Sequence, residues 1–148
     1  MGSGNPASDR AIYLRRFSMQ VNTLSIIIPA YNEERTIHLI LNKVRDVVLR
    51  DGIRKEVIIV NDGSTDGTVQ AVERYMTENP VLGIKFYQQP HNMGKGAAIH
   101  RGIKEATGEY LLVQDADLEY DPRDYPTLLA PIVADGVGLA GGALLCKW

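Results

Sequence analysis

The chain has few of the features that mark secreted or membrane-spanning proteins. Its 148 residues include one cysteine, Cys146, which excludes an internal disulfide framework and fits a reducing compartment. No apolar run approaches the roughly 18 residues that a membrane-spanning helix needs. The formal net charge is −2, so nothing in the charge balance favours nucleic acid or an anionic membrane as a partner. We therefore expect one cytoplasmic globular domain.

The first 23 residues differ in composition from the rest. They combine Gly, Ser, Asn and Pro with three arginines, and they lack the continuous apolar stretch of a signal peptide. We expect a disordered or tag-like leader over 1–23 and a folded domain over 24–148. Alternatively, Tyr13, Leu14 and Phe17 would support a short helix that docks on the domain or on a bilayer.

From residue 24 onward, short apolar runs alternate with longer helical patterns. The short runs predict strands over residues 24–28, 57–60, 84–87 and 110–113, the first of them stopped by Pro29. Apolar residues spaced by three and four predict helices over 37–51, 68–76 and 96–106, and a further helix from Pro122 behind a capping Asp121. This alternation predicts a doubly wound α/β fold, with a mostly parallel sheet flanked by helices on both faces.

Polar residues follow every predicted strand at its carboxyl end. They occupy residues 29–33, 61–67 and 91–96, and the last strand leads into Asp115 and Asp117. In open α/β sheets, ligands bind outside the carboxyl ends of the strands. The four loops together therefore predict a binding site at one edge of the sheet.

Asp115 and Asp117 indicate a metal site within that edge. Two carboxylates two residues apart at the end of a buried strand repel each other unless a cation lies between them. Mg²⁺ is commonly held by one or two carboxylates, with substrate phosphates completing its octahedron. The pair therefore predicts a divalent metal and a phosphorylated substrate.

Each of these loops also has a purely structural interpretation. Asn32 would cap the first helix, with Glu33 favourable in its first turn. Asp66 would cap the second helix, and Lys95 would be a solvated residue of a tight turn. These interpretations leave unexplained why so many acidic residues share one edge.

Other phosphate and metal motifs do not match. An EF-hand loop starting at Asp115 would need glycine and glutamate where the chain has Tyr120 and Pro126. Gly94 and Lys95 lack the upstream glycine and the following Ser or Thr of a P-loop. The first strand is followed by Pro-Ala-Tyr-Asn-Glu, where a dinucleotide-binding fold has its glycines.

The ordered motifs resemble those of family 2 glycosyltransferases with the GT-A fold. The resemblance is carried by SIIIPAYNE at 25–33, VNDGSTDGT at 60–68, NMGKGAA at 92–98 and QDADLEY at 114–120. The last two are most similar to the dolichol-phosphate mannose/glucose synthase branch. The resemblance implies a Rossmann-like half-domain that binds a nucleotide sugar.

The resemblance also implies roles for individual residues on the nucleoside side. Pro29, Tyr31 and Glu33 would line the pocket for the base and ribose. Val60 and Asp62 would form its other wall, with Asp62 accepting hydrogen bonds from the base or ribose.

On the diphosphate side, the implied catalytic residues are Lys95, Asp115 and Asp117. Lys95 would lie near the donor's sugar and phosphates, and Ala116 would contact the donor between the two aspartates. Asp115 and Asp117 would hold Mg²⁺ or Mn²⁺, and Glu119 would be a third metal ligand at a position where the branch usually carries glutamine.

The implied reaction is transfer of a hexose, with inversion, from a UDP- or GDP-hexose to a polyprenyl phosphate or glycan, as in cell-envelope glycan synthesis. A lipid acceptor would imply peripheral association with the cytoplasmic face of a membrane. The alternative is a non-catalytic nucleotide-sugar-binding module or an inactive fragment of such an enzyme.

The resemblance fades after about residue 132. Relatives in this branch continue into a Gly-Ser-Arg segment and the acceptor side of the site, whereas no arginine follows Arg123 here. We interpret this as a truncated or atypical acceptor-side portion. A truncated sheet would expose an apolar edge, which favours self-association.

Overall fold

A computed structural model describes residues 23–50, 52–117, 121–135 and 146–147. The strands are β1 Thr23–Ala30, β2 Arg54–Asn61, β3 Lys85–Gln88, β4 Tyr110–Val113 and β5 Cys146–Lys147. The helices are α1 Ile37–Asp46, α2 Thr68–Glu78, α3 Lys95–Glu105 and α4 Tyr125–Asp135, with 3₁₀ turns at Pro80–Leu82 and Pro122–Asp124. The expected leader lies outside the described residues, apart from Thr23.

The strands form one sheet in the order β3-β2-β1-β4-β5. β1 pairs in parallel with both β2 and β4, β2 pairs in parallel with β3, and β5 pairs antiparallel with β4. The predicted α/β fold with a mostly parallel sheet is confirmed. β2 and β3 lie on one side of β1, and β4 lies on the other. The crevice outside the carboxyl ends of β1 and β4 is therefore a topological switch point.

Alternate residues of the central strands enter two separate cores. Ile26 and Ile28 of β1 pack in a large core with α1, α2 and the start of α4. Ile58 and Val60 of β2 pack on the opposite face against Ala98 of α3. Helices therefore cover both faces of the sheet, as the continuous apolar runs in β1 and β2 predicted.

The first helix is shorter than its apolar pattern predicted. It ends at Asp46, and the next residue has extended backbone angles. Val47 and Leu49 are buried while Val48 is 82% exposed, which is the alternation of an extended segment. The Lys55 ammonium group stabilises the chain at this point, because it donates hydrogen bonds to the carbonyls of Val44, Arg45 and Val47. A lysine from β2 thus satisfies carbonyls that the end of a helix leaves unpaired.

The first strand is longer than predicted, because Pro29 does not stop it. β1 continues through Ala30, whose carbonyl accepts a hydrogen bond from Asp62 N on the β2 side. On the other side, the ladder with β4 ends at Ile27, whose carbonyl accepts a hydrogen bond from Gln114 N. Pro29 faces that side beyond the end of the ladder, where its missing N–H costs no hydrogen bond.

At the amino-terminal ends of the strands, Glu56 joins three segments. Its carboxylate accepts hydrogen bonds from Lys85 of β3, Ser25 of β1, and both the backbone and the hydroxyl of Thr107. Burial alone would raise the pKa of Glu56, but these hydrogen bonds outweigh it and lower the pKa to about 2. The network links these segments at the amino-terminal end of the sheet, away from the predicted site.

None of the helices in the described part of the chain has the length and apolar composition needed to cross a bilayer.

Candidate functional site

A pocket of about 240 Å³ lies at the carboxyl ends of β1, β2 and β4, at the switch point of the sheet. It brings together residues from all four polar loops that the sequence indicated. The lining residues are Pro29, Ala30, Tyr31, Glu33, Asp62, Asn92, Gly94, Lys95, Asp115, Ala116 and Asp117.

Asp62, at the end of β2, holds the loop that leads into α3. It is only 3% exposed, and its two carboxylate oxygens accept hydrogen bonds from Met93 N at 2.8 Å and Gly94 N at 3.1 Å. Carboxylates that accept backbone N–H bonds are strong anchors. Asp62 therefore positions the loop that carries Lys95 in addition to lining the pocket.

Gly63 brings the same two loops into backbone contact. It has a φ of +69°, and a Cβ atom at this position would lie 2.4 Å from Asn92 N. Glycine alone combines this backbone angle with this close approach. The Asp-Gly dipeptide thus provides one residue that anchors the neighbouring loop and one that leaves space for it.

Asn32 does not cap α1, contrary to the structural interpretation of its position. Its side-chain oxygen accepts a hydrogen bond from Thr65 N at 2.8 Å, and its own N–H donates to the Ser64 hydroxyl at 3.0 Å. It has a φ of +53°, a conformation that asparagine tolerates better than most residues. Asn32 therefore joins the loop after β1 to the loop after β2.

Gly67 is the N-cap residue of α2 and no side chain caps this helix, so the prediction that Asp66 is its cap was wrong. Asp66 lies one residue earlier. Its carboxylate accepts a hydrogen bond from Thr68 N at 3.0 Å, at the first residue of the helix. The buried hydroxyl of Thr68 in turn accepts a hydrogen bond from Glu33 N at 2.8 Å. Asp66 thus binds the first residue of α2, and the hydroxyl group of that residue holds the backbone of the pocket residue Glu33.

The Lys95 ammonium group forms an ion pair with the Asp115 carboxylate across the pocket. Lys95 opens α3 and its side chain is 60% exposed, whereas that of Asp115 is 27% exposed. Ala116 is 4% exposed and packs in the large core, while Asp115 and Asp117 remain accessible on either side of it. The pocket therefore holds a cationic and an anionic group in contact.

The donor set fits a divalent metal that is shared with a phosphorylated ligand. In the described residues, no group of three or more His, Cys, Asp or Glu side chains is arranged to hold a metal ion. Asp115 and Asp117 nevertheless both line the pocket, and two carboxylates suffice for Mg²⁺ when phosphate oxygens supply further ligands. Glu119, the third expected ligand, lies outside the described residues.

The structure does not bring Val60 to the pocket. Its side chain is fully buried in the core beneath α3. Ala30, Asn92 and Gly94 line the pocket although the sequence did not single them out as binding residues. Asn92 and Gly94 precede Lys95 in the loop after β3. Their place at the carboxyl edge of the sheet was the signal that could have identified them as pocket residues.

A second groove lies at the other end of the sheet. It has a volume of about 570 Å³ and includes Arg54 and Lys55 at the start of β2 together with Val81 and Leu82. It is larger than the pocket at the switch point, but Lys55 is occupied by the carbonyls at the end of α1. We therefore place the candidate site in the smaller pocket, where side chains from four loops converge.

Comparison with protein families agrees with the motifs and the fold. The family model "Glycosyl transferase family 2" matches residues 25–146, which is most of the chain. The chain belongs to glycosyl transferase family 2.

Several curated proteins are similar to this chain. The dodecaprenyl-phosphate galacturonate synthase of Rhizobium johnstonii is 31% identical over 74% of this chain and 32% of its own length. The dolichol-phosphate mannosyltransferase of Pyrococcus furiosus is 31% identical over 84% of this chain and 34% of its own length. The chain thus spans about a third of the length of these curated relatives.

Solved structures with a similar fold include complexes with nucleotide sugars. The mannosyltransferase PcManGT from Pyrobaculum calidifontis, in complex with GDP-Man and Mn²⁺, has a TM-score of 0.61 and 28% identity. The match covers 80% of this chain and 37% of PcManGT. S. aureus TarS 1–349, in complex with UDP-GlcNAc, has a TM-score of 0.64 and 28% identity, over 80% of this chain and 37% of TarS 1–349.

Proposed function

We propose that this protein transfers a hexose from a nucleotide-diphospho-sugar to a polyprenyl phosphate or glycan acceptor, with a divalent metal and with inversion at the anomeric carbon. The observation that carries the proposal is the pocket at the switch point, where Asp62, Lys95, Asp115 and Asp117 converge from three loops. Membership of glycosyl transferase family 2 supports it.

The donor would bind with its nucleoside toward Pro29, Tyr31, Glu33 and Asp62 and its diphosphate toward Asp115 and Asp117. Asp62 can serve both the protein and the ligand, because each carboxylate oxygen accepts one backbone bond and has a further lone pair. The sugar and phosphates would then lie near Lys95.

Asp115 and Asp117 would hold Mg²⁺ or Mn²⁺ against the donor diphosphate. The bound ion would supply charge stabilisation for the nucleoside diphosphate as it leaves. In the proposed reaction the bond between the anomeric carbon and the diphosphate oxygen breaks, and a bond to the acceptor oxygen forms on the opposite face. Lys95 adds a positive charge beside the same phosphates, which favours the developing negative charge.

The acceptor class decides whether a general base is needed. A polyprenyl phosphate attacks through an oxyanion, so no proton has to be removed from it. A sugar hydroxyl must lose its proton to a base. Among the residues that the structure describes, the pocket carboxylates are all assigned to the donor and the metal, which favours the phosphate acceptor. Such an acceptor would place the protein at the cytoplasmic face of a membrane.

Calorimetric titration of the purified chain with UDP and GDP, each with and without Mn²⁺, tests the donor site. We expect Mn²⁺-dependent binding of one nucleotide, and loss of that binding in Asp117→Ala. Asp124→Ala, at an exposed carboxylate in the turn before α4, is the matched control and should bind as the wild type does. Absence of binding to both nucleotides would contradict the proposed function.

The alternative is a module that binds a nucleotide sugar without transferring it. What supports it is that every role proposed for a pocket residue concerns the donor, and none concerns the acceptor. Incubation with a radiolabelled UDP- or GDP-hexose and a polyprenyl phosphate separates the two. Labelled lipid supports transfer, whereas tight binding with neither transfer nor donor hydrolysis supports the module.

A further inference from the structure

A buried hydrogen bond joins α4 to the segment that carries the two pocket aspartates. The Tyr125 hydroxyl donates to the side-chain oxygen of Gln114 at 2.6 Å. Both residues are 1% exposed, so this bond is shielded from water. Such bonds are costly to break when one partner is left buried without the other.

Gln114 passes this constraint to Asp115. Its side-chain amide donates to the Asp115 carbonyl at 3.1 Å, and its backbone N–H donates to the carbonyl of Ile27 at 2.8 Å. Gln114 is therefore held by β1, by Tyr125 and by the backbone of the next residue. The backbone leading into Asp115 is therefore held by β1 and, through Tyr125, by α4.

Tyr125 is itself held in a fixed position. It follows the turn Pro122–Asp124, where the Asp121 side chain accepts a hydrogen bond from Arg123 N at 3.0 Å. Asp121 also lies 3.7 Å from the Lys43 ammonium group of α1. Burial raises the pKa of the Tyr125 hydroxyl, so this group remains protonated and donates at any physiological pH.

We propose that Tyr125 and Gln114 are positioning residues that fix the backbone of Asp115 and thereby aim the Asp115 and Asp117 carboxylates at the metal and the donor diphosphate. The functional part of this inference rests on the proposed function. Neither residue lines the pocket. Groups that orient metal-binding carboxylates typically change metal affinity by about 10- to 100-fold when they are removed.

Hydrogen exchange on the ligand-free chain tests the positioning directly. Tyr125→Phe should accelerate exchange of the Asp115, Ala116 and Asp117 amides about tenfold relative to the amides of β2, as expected for loss of a buried hydrogen bond. Tyr75→Phe is the matched control, because its hydroxyl also donates to an amide side chain, that of Asn42 at 3.1 Å. Unchanged exchange at the three amides in Tyr125→Phe would overturn the proposal.

A second variant separates positioning from simple loss of stability. Tyr125→Phe alone removes the hydroxyl that donates to the buried Gln114 oxygen, and it should lower global stability. The double variant Tyr125→Phe/Gln114→Met replaces both polar groups with apolar ones of similar size and should regain most of that stability. We expect rapid exchange at the three amides to persist in it. Recovery of wild-type exchange together with stability would overturn the proposal.

Titration of the same variants with Mn²⁺ and UDP or GDP provides the functional readout. Mn²⁺-dependent binding should weaken about tenfold or more in Tyr125→Phe and in the double variant, and stay unchanged in Tyr75→Phe. Equal binding in all variants would overturn the proposed role at the site. If the wild type binds neither nucleotide, the proposed function fails, and hydrogen exchange alone still decides whether Tyr125 and Gln114 hold the aspartate segment.

Discussion

Gly102 of α3 lies so close to Ile27 of β1 that a Cβ atom on the glycine would be 2.4 Å from Ile27 Cγ2. The helix therefore packs on the sheet with no space for even a methyl group. Since α3 begins at Lys95, this contact also sets how far the lysine's helix stands from the sheet.

Replacement of Gly102 by alanine should destabilise the fold. Overpacking of this kind costs about 1–3 kcal/mol, and the better helix propensity of alanine returns at most about 1 kcal/mol. Gly96→Ala in the same helix is the control, because nothing lies within 4 Å of an added Cβ. Urea unfolding should show a lower midpoint for Gly102→Ala and an equal or higher one for Gly96→Ala. Equal midpoints for both would contradict the packing described.

Gly63→Ala should impair nucleotide binding through the loop after β3. The new methyl group would collide with the backbone at His91 and Asn92 and push this loop away from Asp62. Gly83→Ala is the control, because its φ of +61° imposes similar backbone strain while its Cβ meets nothing within 4 Å. Calorimetry with UDP, GDP and Mn²⁺ should show at least about tenfold weaker binding only for Gly63→Ala, as expected for an anchor worth about 1–2 kcal/mol.

The Glu56 network should make stability depend on acid pH. The carboxyl pKa falls from the ordinary 4.5 to about 2 on folding, so the network stabilises the fold fully above about pH 5. A shift of this size corresponds to roughly 3 kcal/mol, which is lost as the pH falls from about 4.5 to about 2.

Glu56→Gln tests this expectation in chemical unfolding at several pH values. Its stability should lie well below that of the wild type at pH 7 and approach it only as the pH falls to about 2, where the wild-type carboxyl group in the folded state also becomes protonated. Glu73→Gln, at an exposed site on α2, should follow the wild type throughout. A constant difference between Glu56→Gln and the wild type across this range would argue against the lowered pKa.

Lys95→Met should separate metal affinity from nucleotide affinity. The ammonium group competes with a divalent ion for Asp115, so its removal should strengthen Mn²⁺ binding in the absence of nucleotide by roughly fivefold. The same change removes a positive charge beside the diphosphate and should weaken nucleotide binding by a similar factor. Titrations with Mn²⁺ alone and with nucleotide at saturating Mn²⁺ measure the two effects, and equal directions of change would refute this role.

The order of elements followed from the sequence because each strand is an apolar run with a polar loop behind it. The pocket location followed from the same pattern, since parallel strands bring their carboxyl ends to one edge. The end of α1 could not be predicted, because Val47 and Val48 continue the helical spacing. The helix ends at Asp46, where Lys55 of β2 binds the carbonyls of the last turn, and this contact is visible only in the structure. Val60 was assigned to the pocket from the family resemblance, whereas the structure buries its side chain with Ile58 and Ala98.

The contact between Tyr125 and Gln114 could not be predicted for a different reason. Their contact joins residues from a strand end and a following helix, and neither residue type indicates a metal site by itself. The same holds for Asn32, whose partner Thr65 lies in another loop. Local patterns identify what a loop contains, whereas the side chains that align one loop with another become visible only in three dimensions.

β3 is a short edge strand in which none of the four residues is buried. Its Lys85 is held by Glu56 of the neighbouring strand, and the Arg101 guanidinium group lies 5.0 Å above the Tyr87 ring. Short strands with charged side chains are poor templates for the strand of another molecule. At this edge, the sheet is therefore protected against the growth of fibrils.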